Sequence, residues 1–144
     1  MTYSPLLGPV VALVAWTLVM LSWMALSRMP AMKKAGIDIN KTVGGRGANL
    51  EGVIPDEVNW KSHNYSHLHE QPTLFYAIVI VLVLMEQDAA INVWLAWGYV
   101  ALRIVHSIVQ STINRVKYRF PLFALSTLCL VGLTVHAAAG LLRG

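Results

Sequence analysis

Residues 101–120, ALRIVHSIVQSTINRVKYRF, place polar groups at helical spacing inside an apolar run. At about 100° per residue, one side of a helix through this segment collects polar residues while the other side is mostly aliphatic. The polar side consists of Arg103, His106, Ser107, Gln110, Ser111, Asn114 and Lys117. An arginine at the centre of a bilayer costs at least about 2.5 kcal/mol, so this side must face protein or water.

A second polar face lies in residues 63–76, HNYSHLHEQPTLFY. Its members, at i, i+3, i+4 and i+7, are His63, Ser66, His67 and Glu70. Glu70 and His106 are each eighteen residues from Asp88 in the intervening turn, so antiparallel helices place them at similar depth. Arg103 lies about one turn deeper, and we expect it to form a buried pair with Glu70 or to join a polar network. That contact is either functional or serves only to set the helix register.

Two further expectations concern the same segment. Pro72 has no backbone N–H, so the helix must start or kink beside it, and a kink would leave a carbonyl free near Glu70. His63, His67 and Glu70 have a spacing at which a metal ion can be shared, but the sequence offers no second such motif. We therefore predict no metal site.

Fixed cations concentrate near the ends of the apolar runs. They are Arg28, Arg103, Arg115 and Arg119. Guanidinium groups suit carboxylates because they offer paired donors in one plane, so these residues favour a small polycarboxylate ligand between helices. If that ligand carried a thiol, a nearby arginine would favour the thiolate by opposing its charge.

The elements that must position these groups are membrane helices. The chain has 144 residues, 56% of them hydrophobic and only 12% charged, against about 25% charged in soluble domains. Four uncharged or nearly uncharged runs approach or exceed the roughly 20 residues that span a bilayer as helix. They predict helices over approximately 5–27, 66–86, 89–114 and 119–142. We expect an all-α integral membrane protein, a single domain over 1–144 in which the first run is a span rather than a secretory signal.

Lysine and arginine indicate the orientation. They concentrate in the polar loop 28–62 and in the turn 115–119, whereas the opposite turn carries Glu86 and Asp88. Both basic segments should face the cytoplasm, which puts both termini on the non-cytoplasmic side. The net charge of +4 is thereby explained, and no nucleic-acid partner is predicted.

Three other features are assigned structural roles. The glycine-rich GGRGANLEG lacks the strand and the Lys-Ser/Thr ending of a phosphate loop, so it is expected to be a flexible loop. Cys129, the only cysteine, should pack in the core of the fourth helix. His136 should make a hydrogen bond between helices.

Two segments resemble the MAPEG superfamily, the membrane-associated proteins of eicosanoid and glutathione metabolism, and in particular its short bacterial members. HNYSHLHEQPTLFYA resembles the start of the family's second helix, and WGYVALRIVHSIVQSTINRVKYRF resembles its Arg-x-x-His segment through to the fourth helix. The resemblance implies a four-helix bundle that forms a homotrimer in a bacterial inner membrane. It also implies glutathione, as co-substrate, in a pocket between subunits near the cytoplasmic face.

Position by position, the resemblance implies that Arg119 is the catalytic residue that stabilises the thiolate. The implied ligand-binding residues, together with neighbouring polar groups, are Arg28, Asn64, His67, Glu70, Arg103, His106, Gln110 and Arg115. The chain departs from the family pattern at three of its positions. His67 replaces a common Asn, Gln110 replaces a tyrosine, and Phe120 replaces the serine of a prostaglandin-forming branch.

The resemblance implies a glutathione-dependent membrane transferase or peroxidase whose lipophilic electrophile arrives from the lipid. Membrane lipids, the trimer's own subunits and that small molecule are the expected partners. An alternative is a non-catalytic lipid-binding or scaffold trimer, with which the missing tyrosine and serine are consistent. A proton-coupled drug exporter would carry a carboxylate in its first helix, and residues 1–27 contain none.

Overall fold

The computed structural model describes residues 3–143, and within them the chain is all-helical, without strands. Five α-helices follow in order, with a short 3₁₀ helix at Gly47–Leu50 between the first two. They are α1 Leu7–Lys34, α2 Asp56–His67, α3 Gln71–Leu84, α4 Ala90–Thr112 and α5 Val116–Arg143. Helices α2 and α3 are separated by only three residues and together form one span. The chain therefore has four spans that are long and apolar enough to cross a membrane. The predicted all-α membrane fold with four spans is confirmed.

Helix α1 extends to Lys34, seven residues beyond the predicted end of the first span. The apolar run stops near Ser27, but the following residues continue the helix, with Lys33 and Lys34 favourably placed in its negatively polarised last turn. Gly36, at φ +75°, then ends the helix in the left-handed conformation that glycine adopts without strain.

Helix α2 begins at Asp56, about ten residues before the predicted start of the second span. Its first turns are polar, which is why an apolar pattern did not reveal them, and Asp56 and Glu57 stabilise the positively polarised N-terminus. The loop predicted over 28–62 is therefore shorter, because both of its ends are helical.

The second span is interrupted at residues 68–70, between α2 and α3. Pro72 lies in the first turn of α3, where its missing N–H is tolerated, and a continuous helix would instead leave the carbonyl of Leu68 without a donor. The prediction of a start or kink at Pro72 is confirmed.

Helices α4 and α5 pack most extensively on each other, joined by a turn in which Asn114 has a positive φ of 51°. Helix α2 packs against α1 and α4. Fully buried apolar side chains, one from each of the four spans, include Leu13, Val79, Ala96 and Leu133, and Phe75 stacks on Tyr99 with ring centroids 4.4 Å apart. Many large apolar side chains instead face outward, as expected where the solvent is lipid.

Candidate functional site

The polar side of α4 is buried as the sequence predicts. All of its members from Arg103 to Ser111 are inaccessible to solvent or nearly so, whereas Val105, Ile108 and Thr112 on the opposite side are exposed. Lys117 does not extend this face, because α4 ends at Thr112 and Lys117 is an exposed residue of α5 beside the ring of Tyr118.

A pocket of about 300 Å³ opens between the end of α2, the last turns of α4 and the start of α5. Its lining residues are His67, His106, Gln110, Val116, Arg119, Phe120 and Phe123. Four of these are predicted site residues from three separate helices. Val116 and Phe123 were not predicted, since an apolar residue in an apolar helix gives no sequence signal.

Arg119 reaches the pocket from the first turn of α5. Its Nη1 donates a hydrogen bond of 2.7 Å to the side-chain oxygen of Asn114, the residue whose left-handed backbone makes the turn out of α4. Across residues 3–143 this is the one hydrogen bond that the guanidinium makes. Asn114 therefore orients the group while leaving its remaining N–H donors for a ligand.

Asn64 links α2 to α4 behind the pocket. Its amide nitrogen donates to the side-chain oxygen of Gln110 at 3.0 Å, and its own oxygen accepts a hydrogen bond from the hydroxyl of Ser107. Asn64 and Ser107 are fully buried. This network holds the oxygen of Gln110 away from any ligand, and so the amide N–H groups of Gln110 are what it can offer to the pocket.

The predicted direct pair between Glu70 and Arg103 is wrong, whereas the alternative of a shared network is confirmed. No carboxylate in the described part of the chain lies within 4.0 Å of the Arg103 guanidinium. The interruption of the second span turns Glu70 outward, leaving its side chain 68% exposed, and its carboxylate meets Nδ1 of His67 at 2.8 Å. On the other side of that ring, Nε2 faces Nη1 of Arg103 at 3.5 Å.

Arg103 is 1% exposed and completes its surroundings with the backbone. Its Nη2 donates to the carbonyl oxygen of His67 at 3.4 Å, and that oxygen also accepts a hydrogen bond from the backbone N–H of Glu70 at 3.3 Å, so the interruption does not leave this carbonyl free. The guanidinium also lies 5.6 Å from the ring of Phe123 and 5.9 Å from that of Tyr99. Its Nε has no partner within residues 3–143.

His106 lies beside His67, with ring centroids 5.2 Å apart, and both rings approach Phe123. His106 is 4% exposed and makes no side-chain hydrogen bond to any residue that the structure describes. An imidazole always carries a donor or an acceptor on each nitrogen, so this ring has hydrogen-bonding capacity that a ligand in the pocket could use.

Arg28 and Arg115 lie outside this pocket. The guanidinium of Arg28 sits against Gly47, so close that a Cβ on that glycine would come within 3.3 Å of it. Arg115 is exposed just before α5. Within one chain, the structure therefore gathers His67, His106, Gln110 and Arg119, with Arg103, Asn64 and Glu70 behind or beside them, and leaves the two other arginines apart.

The remaining histidines are arranged differently. His63 pairs with Glu51 in the preceding loop, away from His67, and residues 3–143 contain no group of three metal-ligating side chains. At the opposite end of the bundle, Nδ1 of His136 lies 2.5 Å from the side-chain oxygen of Asn92, which confirms the predicted hydrogen bond between helices. Cys129 is partly buried against Gly98.

The four spans, with an open pocket between them that Arg119 lines, define a multi-pass membrane protein. A family model described as the MAPEG family matches residues 6–139. The chain therefore belongs to the MAPEG family, a family of oligomeric membrane proteins connected with glutathione and eicosanoid metabolism. No curated protein and no solved structure matches the chain significantly.

Proposed function

We propose that the protein is a glutathione-dependent transferase or peroxidase that acts on a lipophilic electrophile. The observation that carries the proposal is the position of Arg119, which Asn114 orients at the wall of the pocket with donors to spare. A cation held in this way stabilises a thiolate electrostatically, and the thiolate is the reactive form of glutathione.

The two sides of the pocket suit the two substrates. Arg119, His106 and Gln110 supply donors for the charged tripeptide, whereas Val116 and Phe120 form an apolar side. These two apolar side chains are 60% and 64% exposed, so the side that they form continues into the outer, lipid-facing surface. A hydrophobic electrophile dissolved in the membrane would reach the thiolate without crossing water.

We further propose that glutathione lies between subunits of a homotrimer. The pocket of one chain is open and small, and Arg28 and Arg115 lie outside it. A neighbouring subunit placed against the opening would add its own cations to the carboxylates of the ligand. Native mass spectrometry in detergent should then report three chains, and a monomer would contradict this assembly.

We also propose that this pocket lies at the cytoplasmic face of an inner membrane, with both termini on the other side, because the loop 28–62 and the turn 115–119 are rich in lysine and arginine. Gly45 lies in the exposed loop between α1 and α2, and Cys129 is partly buried, so a Gly45→Cys variant offers one accessible thiol. A membrane-impermeant maleimide should label it in inverted membrane vesicles and not in spheroplasts. The reverse pattern would invert the orientation.

The deciding experiment is a titration of the detergent-purified protein with glutathione, followed by ultraviolet thiolate absorbance and by calorimetry. The wild type and Lys117→Ala, which removes an exposed cation of the same helix, should show a saturable thiolate signal, and Arg119→Ala should lose it. Absence of glutathione binding in the wild type would overturn the proposal and favour the lipid-binding trimer.

A further inference from the structure

We infer that His67 is the catalytic base that removes the thiol proton of glutathione, and that Glu70 is its positioning residue. The inference rests on the proposed function and extends it. Arg119 can stabilise a thiolate once it forms, but an arginine is always protonated and cannot take up the proton. A separate acceptor is needed, and His67 is one of two imidazoles that line the same pocket.

The neighbours of His67 require one tautomer. Nδ1 lies 2.8 Å from the Glu70 carboxylate, which only accepts hydrogen bonds, so Nδ1 carries the proton and donates it. Nε2 faces a nitrogen of Arg103, which only donates, so Nε2 bears the lone pair. Both partners therefore specify the same neutral ring with its basic nitrogen on the side away from Glu70.

The basic nitrogen is only weakly engaged. The 3.5 Å separation between Nε2 and Nη1 of Arg103 is at the outer limit for a hydrogen bond. The lone pair of Nε2 can therefore accept a thiol proton at the cost of only a weak hydrogen bond. Glu70 stabilises the positive charge that the ring gains, which is the role of the third group in nucleophile, base and orienting-group arrangements. His106 has no such carboxylate partner among residues 3–143.

The charged and titratable groups that face His67 come from every element around it. Glu70 follows it in its own segment, Arg103 and His106 face it from α4, and Arg119 shares the pocket from α5. One carboxylate next to the ring is opposed by two guanidinium groups. Removal of the Glu70 charge should therefore weaken the base without displacing the ring.

The step balances without any further reagent. The S–H bond of glutathione breaks, its proton passes to Nε2 of His67, and its electron pair stays on sulfur as a thiolate beside Arg119. The thiolate pair then forms the bond to the electrophilic carbon. The imidazolium passes this proton to water, which restores the base and appears as proton release; in an addition the product later takes a proton from water, and in a displacement the leaving group departs with its bonding pair.

The test is the rate of proton release, measured with a pH indicator after rapid mixing of the detergent-purified trimer with glutathione. In His67→Gln the release should be about a hundredfold slower at neutral pH, within the range of general-base effects, while glutathione affinity stays within about threefold. His67→Asn, which restores the family pattern, should behave in the same way. His69→Gln is the matched control, because His69 is exposed and, among the residues that the structure describes, its ring bonds only to the carbonyl of Tyr65.

The pH profile separates a base from a structural residue. The wild-type rate should fall toward acid pH, since a protonated imidazole accepts nothing, and should level off above. In His67→Gln the rate should rise about tenfold per pH unit, because hydroxide becomes the acceptor. Added imidazole should accelerate His67→Ala and not the wild type, and Glu70→Gln should lower the plateau by less than His67→Gln does.

Failure of this inference and failure of the proposed function give different results. If the wild type binds glutathione and releases a proton, but His67→Gln does so at the same rate and with the same pH profile, the role of His67 is refuted while the enzyme remains. If the wild type neither binds glutathione nor releases a proton, both are refuted.

Discussion

Two polar clusters occupy opposite ends of the α4 and α5 pair, and they differ in how completely they are satisfied. At one end, His136 bonds to Asn92, whose amide nitrogen donates to the carbonyl of Gln87 at 3.0 Å. At the other end, His106 and the Nε of Arg103 have no hydrogen-bond partner within residues 3–143, and Arg119 uses one of its donors.

The difference supports a structural role for the first cluster and the proposed ligand site at the second. Buried polar groups are normally paired, so a set closed by its own hydrogen bonds needs no further explanation than packing, although Asn92 and His136 also line a pocket, of about 560 Å³. A set with several unused donors around an open pocket retains capacity for an anion, even though its individual residues resemble those of the closed set. The comparison yields four predictions, from the largest expected effect to the smallest.

Arg119→Ala should lower turnover of glutathione with chlorodinitrobenzene by about 100- to 1000-fold, the usual loss when one oriented donor to a developing anion is removed. Binding should weaken only modestly, since His106 and Gln110 remain. Steady-state kinetics beside the Lys117→Ala control check this. Unchanged turnover would remove Arg119 from the mechanism.

Arg103→Leu should destabilise the bundle by about 1–3 kcal/mol, because the hydrogen bond from the buried guanidinium of α4 to the carbonyl of His67 is lost. Glutathione affinity should fall as well, since the guanidinium supports the end of α2 and the ring of Phe123, both of which form the wall of the pocket. Thermal unfolding in detergent and calorimetry measure the two effects. If neither changed, the network through His67 would have no energetic role.

Asn92→Ala should cost about 1 kcal/mol of stability, because the hydrogen bond between Asn92 and His136 is lost. Glutathione affinity and turnover should stay unchanged, because this bond lies at the end of the bundle opposite the Arg119 pocket. Asn64→Ala, a change of the same chemistry at the open end, should cost a similar amount and also alter binding through Gln110. Equal effects of the two variants on binding would erase the distinction between the clusters.

Gln110→Tyr should raise conjugation activity slightly by adding a hydroxyl to the pocket wall. The gain is limited because Gln110 also accepts the hydrogen bond of the buried Asn64, which a tyrosine ring cannot replace in the same position. Initial rates beside the wild type test this. A flat result would show that the hydroxyl is not what limits the reaction.

Local patterns predicted much of the architecture. The apolar runs located four spans because a bilayer selects length and hydrophobicity, both of which a linear sequence contains. The polar side of α4 was predictable because helical periodicity places residues on a face whatever their environment. The first turns of α2 were missed because the spans were located from apolar runs, and these turns are polar.

By itself, then, the sequence determined the spans, the interruption beside Pro72 and the buried polar side of α4, which are properties of the chain's covalent and helical geometry. Only the tertiary structure decided that Glu70 meets His67 rather than Arg103, and that Arg119 shares a pocket with His106 while Arg28 does not. Spacing gives the direction of a residue from its own helix, whereas a partner depends on how helices are packed and turned. At the interruption of the second span the Glu70 carboxylate turns outward, and its partner is therefore His67 and not Arg103.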